Sequence, residues 1–519
     1  MKKVILYDTT LRDGTQAEGV SLSAHEKVRI AKQLDAFGIH YIEGGWPGSN
    51  PKDMAFFEAI RKEELNHATV AAFGSTKRAN IKVEDDANIK AIVDAKVKTA
   101  TIFGKSWDLH VTEVFKVSLK ENLTMIYESV DYLKSKKMEV FFDAEHFFDG
   151  YKANPEYALK ALSEAVRGGA DAVVLCDTNG GSTPNDIWTI METVKKEVPV
   201  QLGIHCHNDM GMAVANSVIA VDQGCTQVQG TINGFGERCG NANLVSIIPI
   251  LTFKYKKQTV PKSKLKNLQK LSRFVAEVCN LPLQNSQPFV GVSAFAHKGG
   301  VHVNAMLKNK TTYEILDPAL VGNHRRFLVS ELSGATNILI KAKELEFDLD
   351  KNTPETRQIL MKIQDLENEG YQFEAAEASL ELLMKKVMGK HKSFFDLVSF
   401  RVIDEKREDN KMVSEATITL KVNGVEEHTA ADGDGPVNAL DGALRKALTK
   451  FYPILEQIHL IDYSVRVING KEGTAAKVRV FVQFQDEKYA WTTVGVSENI
   501  IEASWQAIVD AIEYRLMKG

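Results

Sequence analysis

The chain has 519 residues, 25% of them charged and 44% hydrophobic, with a formal net charge of -4. This composition predicts a globular protein of two or three domains and excludes the basic footprint of a nucleic-acid binder. No apolar run is long enough to span a bilayer, and Met1-Lys2-Lys3 precedes a short strand-like run with no signal-peptide h-region, so a cytoplasmic protein without membrane contact is expected.

From the N-terminus to about residue 255, short β-branched runs alternate with longer segments of helical periodicity. The predicted strands are Val4 to Asp8, Tyr41 to Gly45, Thr69 to Gly74, Thr99 to Gly104, Glu139 to Glu145, Ala172 to Asp177, Val200 to His207 and Gln227 to Asn233. Helical spacing separates them, as in Ala24 to Phe37 and Pro155 to Arg167. Eight strand-helix units over about 250 residues predict a (β/α)8 TIM barrel in an α/β chain. An open doubly wound sheet usually carries a Gly-rich turn after its first strand, whereas here the first strand enters the polar turn Asp8-Thr9-Thr10-Leu11-Arg12-Asp13-Gly14.

A barrel delivers the C-terminal ends of all its strands to one face, where the active site is expected. Those ends carry Arg12 and Asp13, Glu43, Asp143 and Glu145, Asp177 and Thr178, His205 and His207, and the loop Gly234-Phe235-Gly236-Glu237-Arg238-Cys239-Gly240-Asn241. Side chains alternate along a strand, so His205 and His207 share one face and Cys206 points to the other. So dense a polar set is costly to bury unless its members are paired or ligate a metal, which predicts a divalent metal site. Cys176, Cys206, Cys225, Cys239 and Cys279 show no CxxC spacing and predict reduced thiols. No Walker loop, dinucleotide fingerprint or nucleophile elbow is present.

The barrel is expected over 1–258, helical connector subdomains over 259–392, and a paired α+β module over 393–519. In the connector, His297-Lys298-Gly299-Gly300-Val301-His302 suggests a tight turn that presents an imidazole. Ile359, Ile363 and Leu366 share one helical face, as do Leu380, Leu383 and Val387, which predicts two packing helices. Beyond residue 393, strands are predicted at Phe395 to Ile403, Ser414 to Val422, Ser464 to Ile468 and Lys477 to Gln485, with helices at Val437 to Phe451 and Ile500 to Met517. The leaders His428 to Pro436 and Trp491 to Asn499 enter those helices alike, which predicts an internal repeat.

Asp8-Thr9-Thr10-Leu11-Arg12-Asp13-Gly14, His205-Cys206-His207-Asn208-Asp209, Gly236-Glu237-Arg238-Cys239-Gly240-Asn241 and the connector motif His297 to His302 together resemble those of the acyl-CoA-dependent α-keto acid synthases, the 2-isopropylmalate, homocitrate and citramalate synthase group. The resemblance runs the length of the chain. Tyr7, Thr15-Gln16-Ala17-Glu18-Gly19-Val20 and Gly44-Gly45-Trp46-Pro47-Gly48-Ser49-Asn50-Pro51 look most like the citramalate branch. The resemblance implies an acyltransferase that converts acyl to alkyl on transfer: a metal-dependent Claisen-type condensation of acetyl-CoA with pyruvate and water, on the pyruvate route to isoleucine. The alternative acceptors are 2-ketoisovalerate, as in 2-isopropylmalate synthases, and 2-ketoglutarate, as in homocitrate synthases. By the same resemblance, Asp13, His205, His207 and Asn241 ligate one divalent metal (Mn, Mg, Zn or Co), Arg12 and Thr178 bind the keto acid, and Arg12, Glu145, His302 and Tyr313 form the catalytic set. His302 and Tyr313 are expected to reach the partner's active site, which implies a homodimer or higher homo-oligomer. The resemblance makes the α+β module over 393–519 an allosteric and dimerisation domain, and isoleucine is the expected effector, with its carboxylate at the helix start after Gly433-Asp434-Gly435-Pro436.

Overall fold

The structure, a computed structural model, describes residues 2–330, 335–345, 347–350, 353–408, 410–468 and 470–519. It divides into two compact units, Met1–Phe295 with Ile315–Arg325, and Ala296–Glu314 with Arg326–Gly519.

The first unit holds the expected barrel. Its strands are β1 (Ile5–Asp8), β2 (Tyr41–Gly45), β3 (Thr69–Ser75), β4 (Thr99–Lys105), β5 (Glu139–Glu145), β6 (Ala172–Asp177), β7 (Gln201–Cys206) and β8 (Gln227–Gly230). They close in sequence order, and the seam is made by β1 lying parallel to β8 with Tyr7 opposite Gln229 and Asp8 opposite Gly230. Strands buried on both faces need continuous apolar or β-branched runs, and β6, Ala-Val-Val-Leu-Cys-Asp, is buried throughout. Outward residues such as Leu6, Ile42 and Phe142 pack in one core with the helical residues Ile30, Leu34 and Phe56. The helices start where the sequence places caps: Ser23 and Thr183 each form a capping box, ahead of Ala24–Phe37 and Pro184–Glu197.

The last strand is shorter than the sequence predicts. It ends at Gly230, and the chain turns through Ile232–Gly234 with Asn233 at a φ of 64°. Thr231 hydrogen-bonds to the incoming Ala242 instead of extending the barrel.

In the second unit, the connector helices Pro354–Glu369 and Glu377–Val387 bury Ile359, Ile363 and Leu380 in a small core with Phe373 and Met384. Two three-stranded antiparallel sheets follow. Asp396–Lys406, Met412–Val422 and Val425–Gly433 lead to the helix Pro436–Leu448; His459–Val467, Val478–Gln485 and Ala490–Ser497 lead to Ile500–Lys518. The identical order is the repeat expected from sequence. Both copies feed one core, with Ile418, Leu440 and Leu444 from the first and Phe484, Trp491 and Ile508 from the second. The third strand of each copy occupies most of what the sequence reading treats as a helix leader. Among the described residues, no helix is long and apolar enough to cross a membrane.

Candidate active site at the barrel mouth

Arg12, Asp13, Glu145, Thr178, His205 and His207 line one cavity of about 210 Å3 at the C-terminal ends of the strands. His205 and His207 both face it, while Cys206 is buried in the outer core. Asp13 Oδ2 lies 3.4 Å from His205 Nε2 and 3.9 Å from His207 Nε2. One ligand atom from each of the three residues falls within 4.8 Å of the others. Asn241 is brought beside them by its loop: its backbone bridges to His207, and its Nδ2 donates to the Phe235 carbonyl. That loop requires glycine, because a Cβ at Gly236 would stand 2.1 Å from Asn241 Nδ2 and one at Gly240, where φ is +85°, would stand 2.0 Å from the Gly234 carbonyl.

The unsatisfied groups point to a cation. Both carboxylate oxygens of Asp13 and Oδ1 of Asn241 are buried with no hydrogen-bond partner among the described residues. Burial alone would raise the Asp13 carboxyl, but Arg12 and His205 outweigh it and hold Asp13 well below the usual carboxylate range. Burial, aided by neighbouring His205, pushes His207 down to about 4, so it is neutral near pH 7 with a ring lone pair to offer. For His205, burial is outweighed by Asp13, and its pKa is raised. Carboxylate, imidazole and amide donors without a thiolate suit a divalent ion such as Mg, Mn, Zn or Co. The residues therefore fit the metal that the sequence implies.

A buried polar layer beneath the cavity orients these groups. His205 Nδ1 lies 2.9 Å from Gln229 Oε1, and Gln229 Nε2 donates to Asp143 Oδ1 at 3.0 Å. The amide is thereby oriented to accept the Nδ1 proton of His205, leaving Nε2 to face Asp13. Asp143 is pushed up to about 7 by burial and then by Glu43. Replacing Gln229 with leucine is expected to weaken divalent metal binding roughly 10- to 100-fold, measured by calorimetric titration. Arg12 Nε donates to Glu43 Oε1 at 2.6 Å, and Tyr7 Oη donates to Glu43 Oε2 at 2.8 Å. The Arg12 guanidinium lies 3.8 Å from the Phe73 ring centroid. Burial pulls the Arg12 pKa down, but Glu43 and Asp13 more than offset this and hold it above its ordinary value.

Glu145, the last residue of β5, forms an ion pair with Lys105, the last residue of β4. Thr178 Oγ1 accepts the His146 N–H at 2.9 Å, and Arg238 ties the Thr178 carbonyl (2.8 Å) to the Asp209 carboxylate (2.7 and 2.9 Å). Trp46, Phe73 and Phe103 wall the cavity with ring centroids 5.5 to 5.8 Å apart. His302 and Tyr313 belong to the second unit, where their rings stack with centroids 4.3 Å apart. Glu43 and Asp143 stand among the strand-end carboxylates that the sequence singles out, without a role. Lys105 and Gln229 are absent from that reading: the predicted fourth strand stops at Gly104, and Gln229 sits inside β8. A polar residue on the inward face of a predicted barrel strand is the signal that marks Gln229.

Comparison with known proteins covers nearly the whole chain. Residues 3–275 match the HMGL-like family, residues 289–371 the homocitrate synthase post-HMGL domain-like family, and residues 374–516 the LeuA allosteric (dimerisation) domain. The chain is similar to the (R)-citramalate synthase of Geobacter sulfurreducens, 58% identical over 520 residues, covering 100% of this chain and 98% of that protein. Similarity to the (R)-citramalate synthase of Aquifex aeolicus is 57% over 519 residues, covering 100% and 98%. To the 2-isopropylmalate synthase of Methanocaldococcus jannaschii it is 32% over 518 residues, covering 99% and 95%. With this agreement from end to end, the chain belongs to the HMGL-like family, in the group that contains the (R)-citramalate and 2-isopropylmalate synthases.

Proposed function

We propose that the protein condenses acetyl-CoA with pyruvate and water to form (R)-citramalate and coenzyme A. The observation that carries this reading is the convergence, in one small aromatic-walled cavity, of the Asp13–His205–His207 cluster with Arg12, Thr178 and Glu145. Asp13, His205, His207 and Asn241 hold the divalent metal, which when bound supplies a Lewis acid for the keto carbonyl. Arg12, fixed by Glu43 and Phe73, presents its remaining guanidinium donors to the keto oxygen and stabilises the negative charge that grows there. Thr178 accepts from His146 N–H, so its hydroxyl proton is available to the substrate carboxylate.

Glu145 takes a proton from the methyl group of acetyl-CoA. The electron pair of that C–H bond forms the new carbon–carbon bond to the keto carbon, the carbonyl π pair passes to oxygen, and that oxygen is protonated. Water then cleaves the thioester and coenzyme A leaves as the thiol. His302 shares the proton transfers and Tyr313 assists; the stacking of their rings supports a joint role. Both are supplied by a partner subunit of a homodimer. Exposed aliphatic residues on the edge strands of the two C-terminal sheets, among them Val398 and Ile403 on one and Ile461 and Val467 on the other, support self-association. The effector is isoleucine, bound near the Gly435 cap of helix Pro436–Leu448.

Similarity to (R)-citramalate synthases, at 58% and 57% identity, supports pyruvate as the acceptor. Release of free coenzyme A, followed with Mn or Mg present, is expected to show a preference in kcat/KM for pyruvate over 2-ketoisovalerate of about 100-fold or more. Preference for 2-ketoisovalerate or 2-ketoglutarate moves the enzyme to 2-isopropylmalate or homocitrate synthesis, and silence with all three removes the synthase reading. Isoleucine added to the same assay is expected to slow it. An unchanged rate and melting temperature would make the C-terminal module a dimerisation domain alone.

A further inference from the structure

Two of the carboxylate–cation pairs at the barrel mouth rest against aromatic rings. Arg12 is committed to Glu43, with its guanidinium on Phe73. Lys105 is committed to Glu145, with its ammonium 5.6 Å from the ring centroids of both Phe103 and Phe115. Phe73 and Phe103 stack on each other at 5.5 Å, so each cation rests against one ring of a stacked pair.

We propose that Lys105 is a positioning residue for the condensation: it anchors the Glu145 carboxylate in one orientation. The proposal rests on the reading of Glu145 as the proton acceptor. Lys105 and Glu145 face each other in register as the final residues of adjacent parallel strands, so the pair is set by the barrel itself. Asn122 Nδ2 donates to the Lys105 carbonyl at 2.8 Å and pins the strand end. The Lys105 side chain is 11% exposed and that of Glu145 22% exposed. An ammonium this buried is costly without a counter-charge, so the lysine has a strong reason to stay on the carboxylate. A carboxylate without this partner is free to rotate, and its oxygens are no longer held where they meet a methyl proton. A displacement of about 1 Å at a reacting group is enough to cost about 100-fold in rate.

The test is a double-mutant cycle on the full-length holoenzyme, combining Lys105→Met with Glu145→Gln and reading kcat, both KM values and melting temperature. Lys105→Met alone is expected to lower kcat by about 30- to 300-fold with KM for pyruvate changed less than about threefold. In the Glu145→Gln background the same substitution is expected to lower kcat by less than about threefold, because a residue acting through Glu145 has nothing left to act on. Lys105→Arg, which keeps the charge, is expected to recover at least about tenfold over Lys105→Met. Wild-type kcat in Lys105→Met, or equal losses in the two backgrounds, would overturn the proposal. Should Lys105→Met fail to fold, Lys105→Gln, which keeps the length and a neutral donor, is read by the same criteria. Full turnover in Glu145→Gln would instead remove the reading of Glu145, so the two failures are distinguishable.

Discussion

Replacing Asp13 with alanine is expected to give a folded protein that has lost both its metal and its turnover. Asp13 is the only carboxylate in the cluster with His205 and His207, and neither of its oxygens has a hydrogen-bond partner among the described residues. Its removal also takes away its charge interactions with Arg12, His205 and His207, so a lower melting temperature without metal is expected as well. The loss falls on what the cluster can bind. A Lewis acid at a reacting carbonyl is worth several kcal/mol, so kcat should fall by about a thousandfold or more. Thermal unfolding supplies a second readout. Mn added at a hundred times its dissociation constant stabilises a protein that binds it only when folded by about 2.7 kcal/mol. The wild type should melt at a higher temperature with Mn and the variant should not. Equal Mn-dependent shifts would exclude Asp13 from the metal site.

Glu145→Gln is expected to separate chemistry from metal binding. The amide keeps the size of the side chain and loses its basicity, and removing a general base typically costs about 100- to 10,000-fold in rate. The Mn-dependent melting shift should survive, since Glu145 lies outside the Asp13–His205–His207 cluster. The substitution also leaves the buried Lys105 ammonium against a neutral group, so a lower melting temperature without metal is expected as well. Full turnover in Glu145→Gln together with a dead His302→Asn would transfer the proton abstraction to His302.

The barrel was legible because the packing of a parallel sheet writes itself into sequence. Strands buried on both faces are short and carry little that faces water, and β2, β5 and β6 begin and end at the predicted residues. Errors occur where tertiary pairing decides. β8 stops early because the returning chain at Ala242 takes the hydrogen bond of Thr231, which no local pattern announces. Val425–Gly433 was missed because it has no apolar stripe; only its pairing with Met412–Val422 makes it a strand. Ala490–Ser497 did carry a signal, the β-branched Thr492, Thr493, Val494 and Val496, masked by its place ahead of a long helix.

The same division runs through the site. Residues that project from strand ends, such as Arg12, Asp13, Glu145, Thr178, His205 and His207, can be named from sequence because the barrel rule sends them all to one mouth. The pairings that orient them cannot. Glu43 beneath Arg12, Gln229 behind His205 and Lys105 beside Glu145 come from other strands, and which strands are neighbours at which height is set by barrel register.

The seam of the barrel has a consequence for the order in which the protein comes into being. Asp13 follows the first strand, whereas His205, His207 and Asn241 lie on or after the seventh and eighth, and β1 meets β8 to close the ring. As the chain leaves the ribosome, Asp13 is among the first groups made and waits through almost the whole barrel for its companions. Until β8 has emerged the sheet cannot close, and until Asn241 follows it the donor set is incomplete. A partial barrel along the way therefore holds at most part of the donor set, and the complete site comes together only at the end of the ring.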